Sequence, residues 1–168
     1  MPQVSFVIDP VSFVRDQREL SGVLPQSLLP RVAQEVVEPQ RELLYHITGK
    51  QDRDGQLWLT VTLTGVLMIE CQRCLKPLEF RLSSDTTFLL VPEGTELSED
   101  DWDDDSFEPL EFNGQLDLEP ILEDEVLLAL PISPRHAQCD TPEEAVSQDK
   151  DSPFAVLAGL RGKGNTTH

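Results

Sequence analysis

Two short motifs hold the residues of this sequence that could do chemistry. Cys71 and Cys74 form a Cys-x-x-Cys, and His136 and Cys139 form a His-x-x-Cys much further along the chain. Thiolate and imidazole are the ligands that zinc prefers in four-coordinate structural sites, and each pair has a spacing that suits half of such a site. Together the four side chains predict a possible Cys3His site for one structural zinc ion, provided that the two pairs meet in space.

The Cys-x-x-Cys has two other interpretations. A redox dithiol of the thioredoxin type follows a strand and opens a helix, whereas here Pro77 and the alternating Leu78 and Phe80 indicate a following strand. The remaining interpretation is a pair of small thiols that are buried or half-buried at a strand end without any metal. The sequence leaves the packing interpretation and the zinc site open.

The residue between the two cysteines is Arg73. Its guanidinium fork suits contact with a partner on an exposed turn, and it equally suits hydrogen bonds to nearby carbonyl groups of the same chain. We therefore keep Arg73 as a candidate partner-binding residue with a structural alternative.

The elements that must position the first motif form an antiparallel meander. Apolar residues alternate with period two from Glu42, and Asp54-Gly55 marks a hairpin turn. The return strand runs from Leu57 to Ile69, with Gly65 as a predicted bulge or bend. The Cys-x-x-Cys follows this strand. Two further strands are predicted after it, over residues 78–82 and 86–91.

Three helices complete the prediction. The first has Asp9 as its N-cap and ends before Gly22, and the second covers residues 28–36. The third begins at an Asp117 N-cap, ends before Pro131, and should cover one face of the sheet with its apolar stripe. Its acids are expected on a solvated face: Glu123, Asp124 and Glu125. The predicted fold class is α+β, with a central antiparallel β meander covered by this helix of the C-terminal half, a short N-terminal helix and an acidic loop.

The charge balance limits the kinds of partner. The chain has 31 acids against 13 bases, for a formal net charge of -18. Direct nucleic-acid binding relies on Lys and Arg, so we expect no DNA contact and indirect contact with RNA, since direct contact would require the few bases to gather on one face. No apolar stretch is long enough to span a membrane, and the N-terminus lacks a positive signal-peptide region. We therefore expect a cytoplasmic protein with basic partners and no membrane contact.

Residues 93–111 contain ten of the acids and no Lys or Arg, so self-repulsion should keep most of the segment unfolded. One interpretation is a solvated loop. The other is a docking tongue for a basic partner, with Trp102 and Phe107 as apolar anchors beside Asp103, Asp104 and Asp105. A calcium site fits least well, because the spacing does not match an EF-hand loop.

The predicted domain organisation is one α+β domain over residues 1–140, which contains the acidic loop at about 93–111. Residues 141–168 are expected to form a flexible tail. Within that tail, residues 153–160 are apolar and predict a short helix that docks back on the domain.

Several blocks of residues together resemble the YceD family of bacterial and plastid proteins. The blocks are Cys71-Gln72-Arg73-Cys74-Leu75-Lys76-Pro77, then Leu116-Asp117-Leu118, then the run from Glu123 to His136, and finally Pro153-Phe154-Ala155-Val156-Leu157. The resemblance implies a role in the synthesis, processing or stability of 23S ribosomal RNA and in large ribosomal subunit assembly, and it implies no enzymatic activity. Some relatives carry further cysteines where this chain has only His136 and Cys139.

The sequence therefore leaves two functions open. The first is a non-enzymatic factor for the large ribosomal subunit that acts through an acidic surface on basic ribosomal proteins or assembly factors. The alternative is a small zinc-binding structural or metal-handling protein. An RNA-modifying enzyme fits least, because no dense cluster of acids and histidines falls on ordered elements.

Overall fold

A computed structural model describes residues 6–96 and 106–139 of the chain. The strands are β1 Val7–Ile8, β2 Glu19–Pro25, β3 Glu42–Gln51, β4 Leu57–Glu70, β5 Pro77–Pro92, β6 Glu108–Phe112 and β7 Leu116–Asp117. The helices are α1 Pro10–Arg15, α2 Pro30–Glu35 and α3 Glu119–Ala129, with one 3-10 turn at Gln26–Leu28. Among the described residues, none of these helices is long and apolar enough to cross a membrane.

The centre of the fold is a five-stranded sheet in the order β2-β3-β4-β5-β6, beside a two-stranded sheet of β1 and β7. The predicted α+β class is confirmed, and β2 to β5 pair antiparallel. The last strand differs from the predicted meander, because β6 pairs parallel to β5. β6 also replaces part of the segment that was expected to be unfolded. Its two acids, Glu108 and Glu111, are exposed, so their charges stay in water while the strand pairs with β5.

Gly65 does not form the predicted bulge. It pairs with Leu43 on one side and Leu82 on the other, in a register that continues unbroken along β4. A Cβ atom at this position would lie 2.6 Å from Leu43 Cδ2 and 3.3 Å from the Glu42 carbonyl oxygen. The glycine is therefore needed for the close approach of β3.

β5 is one strand where two were predicted. Its residues 77–90 pair with β4 without interruption, including the polar stretch Ser83 to Asp85 that separates the two predicted strands. A long partner strand satisfies the backbone groups of this stretch, so the polar side chains do not interrupt the strand.

Helix α1 begins as predicted and ends earlier. The Asp9 side chain accepts a hydrogen bond from the Ser12 N–H at 3.0 Å, as an N-cap does. The helix ends at Arg15 and not near Gly22, because Gln17 takes a left-handed φ of 50°. The N–H of Arg18 then bonds the Phe13 carbonyl at 3.0 Å, which is a Schellman ending without glycine. Because the helix ends here, the chain can extend into β2 from Glu19.

Helix α3 covers the sheet as predicted. Leu118, Leu122 and Val126 are fully buried in the core that the helices and the sheet share. Its start differs by one residue: Leu118 is the N-cap, and the Asp117 carboxylate accepts a hydrogen bond from the Glu119 N–H at 3.1 Å.

The prediction of a solvated face on α3 is wrong for two of the three adjacent acids Glu123, Asp124 and Glu125. Glu123 and Glu125 are each 5% exposed, whereas Asp124 is exposed. Glu125 accepts hydrogen bonds from the hydroxyl groups of Ser84 and Thr86 on β5. A buried carboxylate needs such partners, and the sheet supplies them.

Glu123 caps a different helix. The α2 N-cap residue, Leu29, has no side-chain hydrogen bond, and the Glu123 carboxylate instead accepts the N–H groups of Arg31 and Val32. The Arg31 side chain adds an ion pair at 2.6 Å. Burial alone would raise the Glu123 pKa, but the hydrogen bonds from Arg31 and Val32 outweigh burial and lower it. The carboxylate thus ties α3 to the start of α2.

Glu123→Gln is expected to lower the free energy of unfolding by about 1–3 kcal/mol at pH 7, because a buried charge-assisted cap is lost. The lowered pKa sets the sign of the pH dependence. The contribution of Glu123 is present above the unfolded-state pKa of about 4.3 and disappears as the pH falls through the folded-state pKa. Urea unfolding between pH 3 and 7 measures both effects. Exposed Glu119→Gln on the same helix is the control, and an equal loss there would contradict the capping role.

Candidate metal centre

The Cys-x-x-Cys lies on the turn between β4 and β5. The Cys71 N–H donates to the Lys76 carbonyl at 3.0 Å, and the Leu75 N–H donates to the Cys71 carbonyl at 2.9 Å. Leu75 adopts a left-handed φ of 58°, so the chain reverses within a few residues. The turn is therefore closed by its own backbone, with Cys71 buried and Cys74 half-buried.

The His-x-x-Cys reaches this turn on the chain that follows α3. The Gln72 N–H donates to the Pro134 carbonyl at 2.8 Å, which joins the two segments by their backbones. The His136 N–H lies 3.5 Å from Cys71 Sγ. The two motifs, far apart in sequence, thus meet at one end of the sheet.

The four candidate ligand atoms all lie within 4.8 Å of one another. Cys71 Sγ is 3.8 Å from Cys139 Sγ, and Cys74 Sγ is 3.4 Å from His136 Nδ1. Around a tetrahedral zinc ion, Zn–S and Zn–N bonds of about 2.3 and 2.0 Å separate two sulfurs by about 3.8 Å, and a sulfur and a nitrogen by about 3.5 Å. The spacing of the side chains matches both values.

The imidazole of His136 is oriented by a second contact. Its Nε2 lies 3.1 Å from the Pro77 carbonyl oxygen, which can only accept a hydrogen bond. The proton therefore resides on Nε2, and Nδ1 presents its lone pair toward Cys74. Metal-bound histidines commonly have one nitrogen held by a carbonyl in this way.

The thiols of the turn differ in acidity. Burial raises the Cys71 pKa, but the N–H groups of Cys74, Arg73 and His136 outweigh it and bring the pKa down to about 5. The Lys76 N–H lowers the Cys74 pKa, but burial and the neighbouring sulfurs raise it overall. Ionising one thiol therefore opposes ionising the next. A cation bound among them would favour the thiolate form of each.

Arg73 faces inward to this cluster. Its Nε donates to Cys139 Sγ at 3.0 Å, and its Nη2 donates to the His136 carbonyl at 3.2 Å. The hydrogen bond to Cys139 is the main cause of the raised Arg73 pKa. Arg73 is half-buried, so the structure fits the alternative of a structural hydrogen-bond donor.

Sequence reasoning missed the groups around the four side chains. The backbone carbonyls of Pro77 and Pro134 accept the hydrogen bonds that orient the site. The Pro-x-x-Pro after α3 is the one sequence signal for them, because it is typical of an extended chain whose carbonyls are free to accept. A cavity of about 260 Å³ also opens beside the cluster. Besides three of the four candidate ligands, its lining includes two side chains that were not predicted as site residues: Lys76 and Gln138.

The other predicted partner-binding residues belong to the acidic segment. Trp102, Asp103, Asp104 and Asp105 lie outside the described residues. Phe107 is half-buried, and its ring meets the Trp58 ring edge-on at 5.1 Å between centroids. This contact occupies Phe107 within the chain.

The chain matches the family model described as "Large ribosomal RNA subunit accumulation protein YceD" over residues 59–161. A curated protein of that name from Haemophilus influenzae (strain ATCC 51907 / DSM 11121 / KW20 / Rd) is 30% identical over 180 aligned positions, covering 96% of this chain and 98% of its own length. No solved structure matches the chain significantly. The chain belongs to the YceD family.

Proposed function

We propose that this protein is a non-enzymatic cytoplasmic factor for the accumulation of large-subunit ribosomal RNA, through the synthesis, processing or stability of 23S RNA and the assembly of the subunit. Membership in the YceD family is the observation that carries the proposal. The Haemophilus influenzae relative bears the same description and aligns along nearly the whole of both chains.

The proposed mode of action is docking of an acidic surface on basic ribosomal proteins or assembly factors. The net charge of -18 supports this choice, because opposite charges accelerate association and select partners. Ten acids fall within residues 93–111, and Trp102 and Asp103–Asp105 are the proposed contacts there.

The described residues at the two ends of this segment support a docking position near one edge of the sheet. The Glu93 N–H donates to the Phe112 carbonyl at 2.9 Å, and the Asn113 side chain donates to the Glu93 carboxylate. Phe107 packs against Trp58 on the same part of the sheet. The described residues at both ends of the segment are thus anchored near the β5–β6 edge.

The proposal that contact with RNA is indirect is supported by the ion pairs and hydrogen bonds of the arginine side chains. Arg31 pairs with Glu123 and Asp124, and Arg41 and Arg81 pair with acids close in sequence. Arg73 is engaged at the candidate metal centre. Four of the eight arginines of the described residues are therefore engaged within the chain, which reduces the charge available for the phosphate neutralisation that nucleic-acid binding requires.

Changing Asp100, Asp101, Asp103, Asp104 and Asp105 together to Asn is expected to reduce capture of large-subunit ribosomal proteins and precursor particles by roughly tenfold or more, with the melting temperature unchanged. Loss of five charges removes the electrostatic complementarity. Pull-down at 50 and 200 mM salt measures capture. In cells lacking the protein, the ratio of 23S to 16S RNA tests whether the variant can replace the original chain.

A matched control neutralises five exposed acids elsewhere: Glu19, Glu42, Asp54, Asp85 and Glu119. The control is expected to retain capture and to restore the RNA ratio. Equal capture by the two variants would reduce the acidic segment to a solvated loop, and an unchanged RNA ratio in cells lacking the protein would contradict the ribosomal role itself.

We also propose that Cys71, Cys74, His136 and Cys139 hold one structural zinc ion. The S–S distance of 3.8 Å, the S–N distance of 3.4 Å and the Nε2 contact of His136 support this second proposal. The ion would fasten the turn after β4 to the chain after α3. Zinc as a structural element is compatible with the ribosomal role, whereas metal handling as the whole function is the alternative.

A further inference from the structure

A groove with aliphatic and polar side chains lies next to the candidate metal centre. It has a volume of about 320 Å³ and lies between the end of α2, the end of β4 and the chain after α3. The Val37 N–H donates to the Met68 carbonyl, and Val36 bridges to Ile69, so the groove has a fixed floor of buried aliphatic side chains.

Two exposed aliphatic side chains lie on the rim of the groove, among polar ones. Val37 is 48% exposed, and Ile132, on the opposite side, is fully exposed at 104%. The polar lining includes Glu35 and Glu70. Single exposed apolar residues are ordinary, but an aliphatic floor between two exposed aliphatic side chains is typical of a docking site.

We propose that the groove is the docking site for residues 153–160 of the same chain, Pro-Phe-Ala-Val-Leu-Ala-Gly-Leu. This segment is the apolar part of the sequence beyond Cys139, and polar residues dominate from Asp140 to Ser152. The match to the family model continues to residue 161, so the segment lies inside the matched region. The inference goes beyond the proposed function and does not depend on it.

The length of the connection permits this docking. Thirteen residues, 140–152, separate Cys139 from Pro153, and they reach roughly 40 Å when extended. Cys139 lies beside Cys71, and the next residue, Gln72, lines the groove. The segment therefore needs only part of that reach.

Charge gives the segment an orientation along the groove. Glu35 and Glu70, both exposed, are among the groove residues. The flank after the apolar segment is basic, with Arg161 and Lys163, whereas Lys150 before the segment lies between Asp149 and Asp151. Docking places Arg161 and Lys163 near the acids of the rim, and it covers the exposed faces of Val37 and Ile132.

The test uses the full chain with the photo-crosslinking residue p-benzoylphenylalanine. With Phe154→p-benzoylphenylalanine, irradiation of dilute protein is expected to give a product of monomer mass, with cross-links to residues 34–37, 69–72 or 130–134. The same probe in place of Ser147 is the matched control and should give at least about tenfold less product at those residues. Adding Ile132→Asp to the Phe154 probe should reduce the groove product several-fold.

Each other outcome overturns the proposal. A product of dimer mass would make a second copy the occupant, and cross-links elsewhere would place the segment on another surface. A groove product that is insensitive to Ile132→Asp would show chance proximity. Since Ile132 is exposed, the fold should survive its change, which circular dichroism verifies; Val37→Asp, on the opposite rim, is the second variant and must give the same reduction.

Discussion

Protein purified under reducing conditions without chelator is expected to contain about one zinc ion per chain. The variant with Cys71, Cys74, His136 and Cys139 all changed to Ser is expected to contain none. Elemental analysis of the two proteins, prepared side by side, measures this difference. Reducing conditions matter because Cys71 Sγ and Cys139 Sγ are 3.8 Å apart, so oxidation of this pair could otherwise remove two ligands.

Loss of the metal is also expected to lower stability. The zinc ion would connect two segments that are otherwise joined by the backbone hydrogen bond from Gln72 to Pro134, the contacts of Arg73 and the contact of His136 Nε2 with the Pro77 carbonyl. Because unfolding separates the ligands, the free energy of metal binding adds to the free energy of unfolding. Excess chelator should therefore lower the melting temperature, and added zinc should restore it, whereas magnesium should not.

A graded variant separates ligation from packing. Arg73 is not a ligand but hydrogen-bonds the Cys139 sulfur, so Arg73→Gln is expected to retain zinc with roughly 10–100-fold lower affinity. Cys74→Ser removes a ligand and should bind far more weakly. Absence of metal from the original protein, or metal that persists in the quadruple variant, would return the cluster to the interpretation of packed thiols.

The sequence predicted the candidate site better than it predicted its surroundings. Ligand types and spacing singled out the four side chains that the structure brings within 4.8 Å. The carbonyl that orients His136 belongs to Pro77, whose side chain carries no signal for such a contact. Backbone groups of this kind acquire their position from the fold, so residue types alone cannot identify them.

Local sequence patterns likewise predicted some parts of the fold and missed others. The period-two pattern predicted β3 and β4, and the Asp9 cap predicted the start of α1. The end of α1 was missed because Gln17 takes the left-handed position that glycine usually fills.

The acids of α3 show why a charge run is a poor guide to exposure. Glu123, Asp124 and Glu125 are adjacent, yet two are buried and one is exposed. Their positions around the helix decide the direction of each side chain, and the partners are the N–H groups of α2 and the hydroxyls of β5. The cap residue for α2 lies 92 residues away in sequence from Arg31, beyond the reach of any local pattern.

Leu122→Ala is expected to lower the free energy of unfolding by about 2–5 kcal/mol, the range for removing a fully buried leucine side chain. Leu122 is 0% exposed in the layer between α3 and the sheet, so its loss leaves a cavity that the long strands β4 and β5 cannot close. Urea unfolding at pH 7 measures the change as a lower midpoint with an unchanged slope. Leu128→Ala on the same helix is the matched control, since Leu128 is 75% exposed and its change should stay within about 0.5 kcal/mol.

The same pair of variants tests how the candidate metal centre depends on the core. Helix α3 leads directly into the chain that carries His136 and Cys139, so the position of that chain depends on the packing of α3. A native population remains dominant after a loss of a few kcal/mol from a typical stability of about 5–15 kcal/mol, so Leu122→Ala should keep its zinc at 25 °C. It should release zinc to a chelator at lower urea concentration than Leu128→Ala does, because unfolding frees the ligands. Equal midpoints for the two variants would contradict the placement of Leu122 in the core, and zinc loss from Leu122→Ala without urea would mean that the site tolerates no loosening of α3.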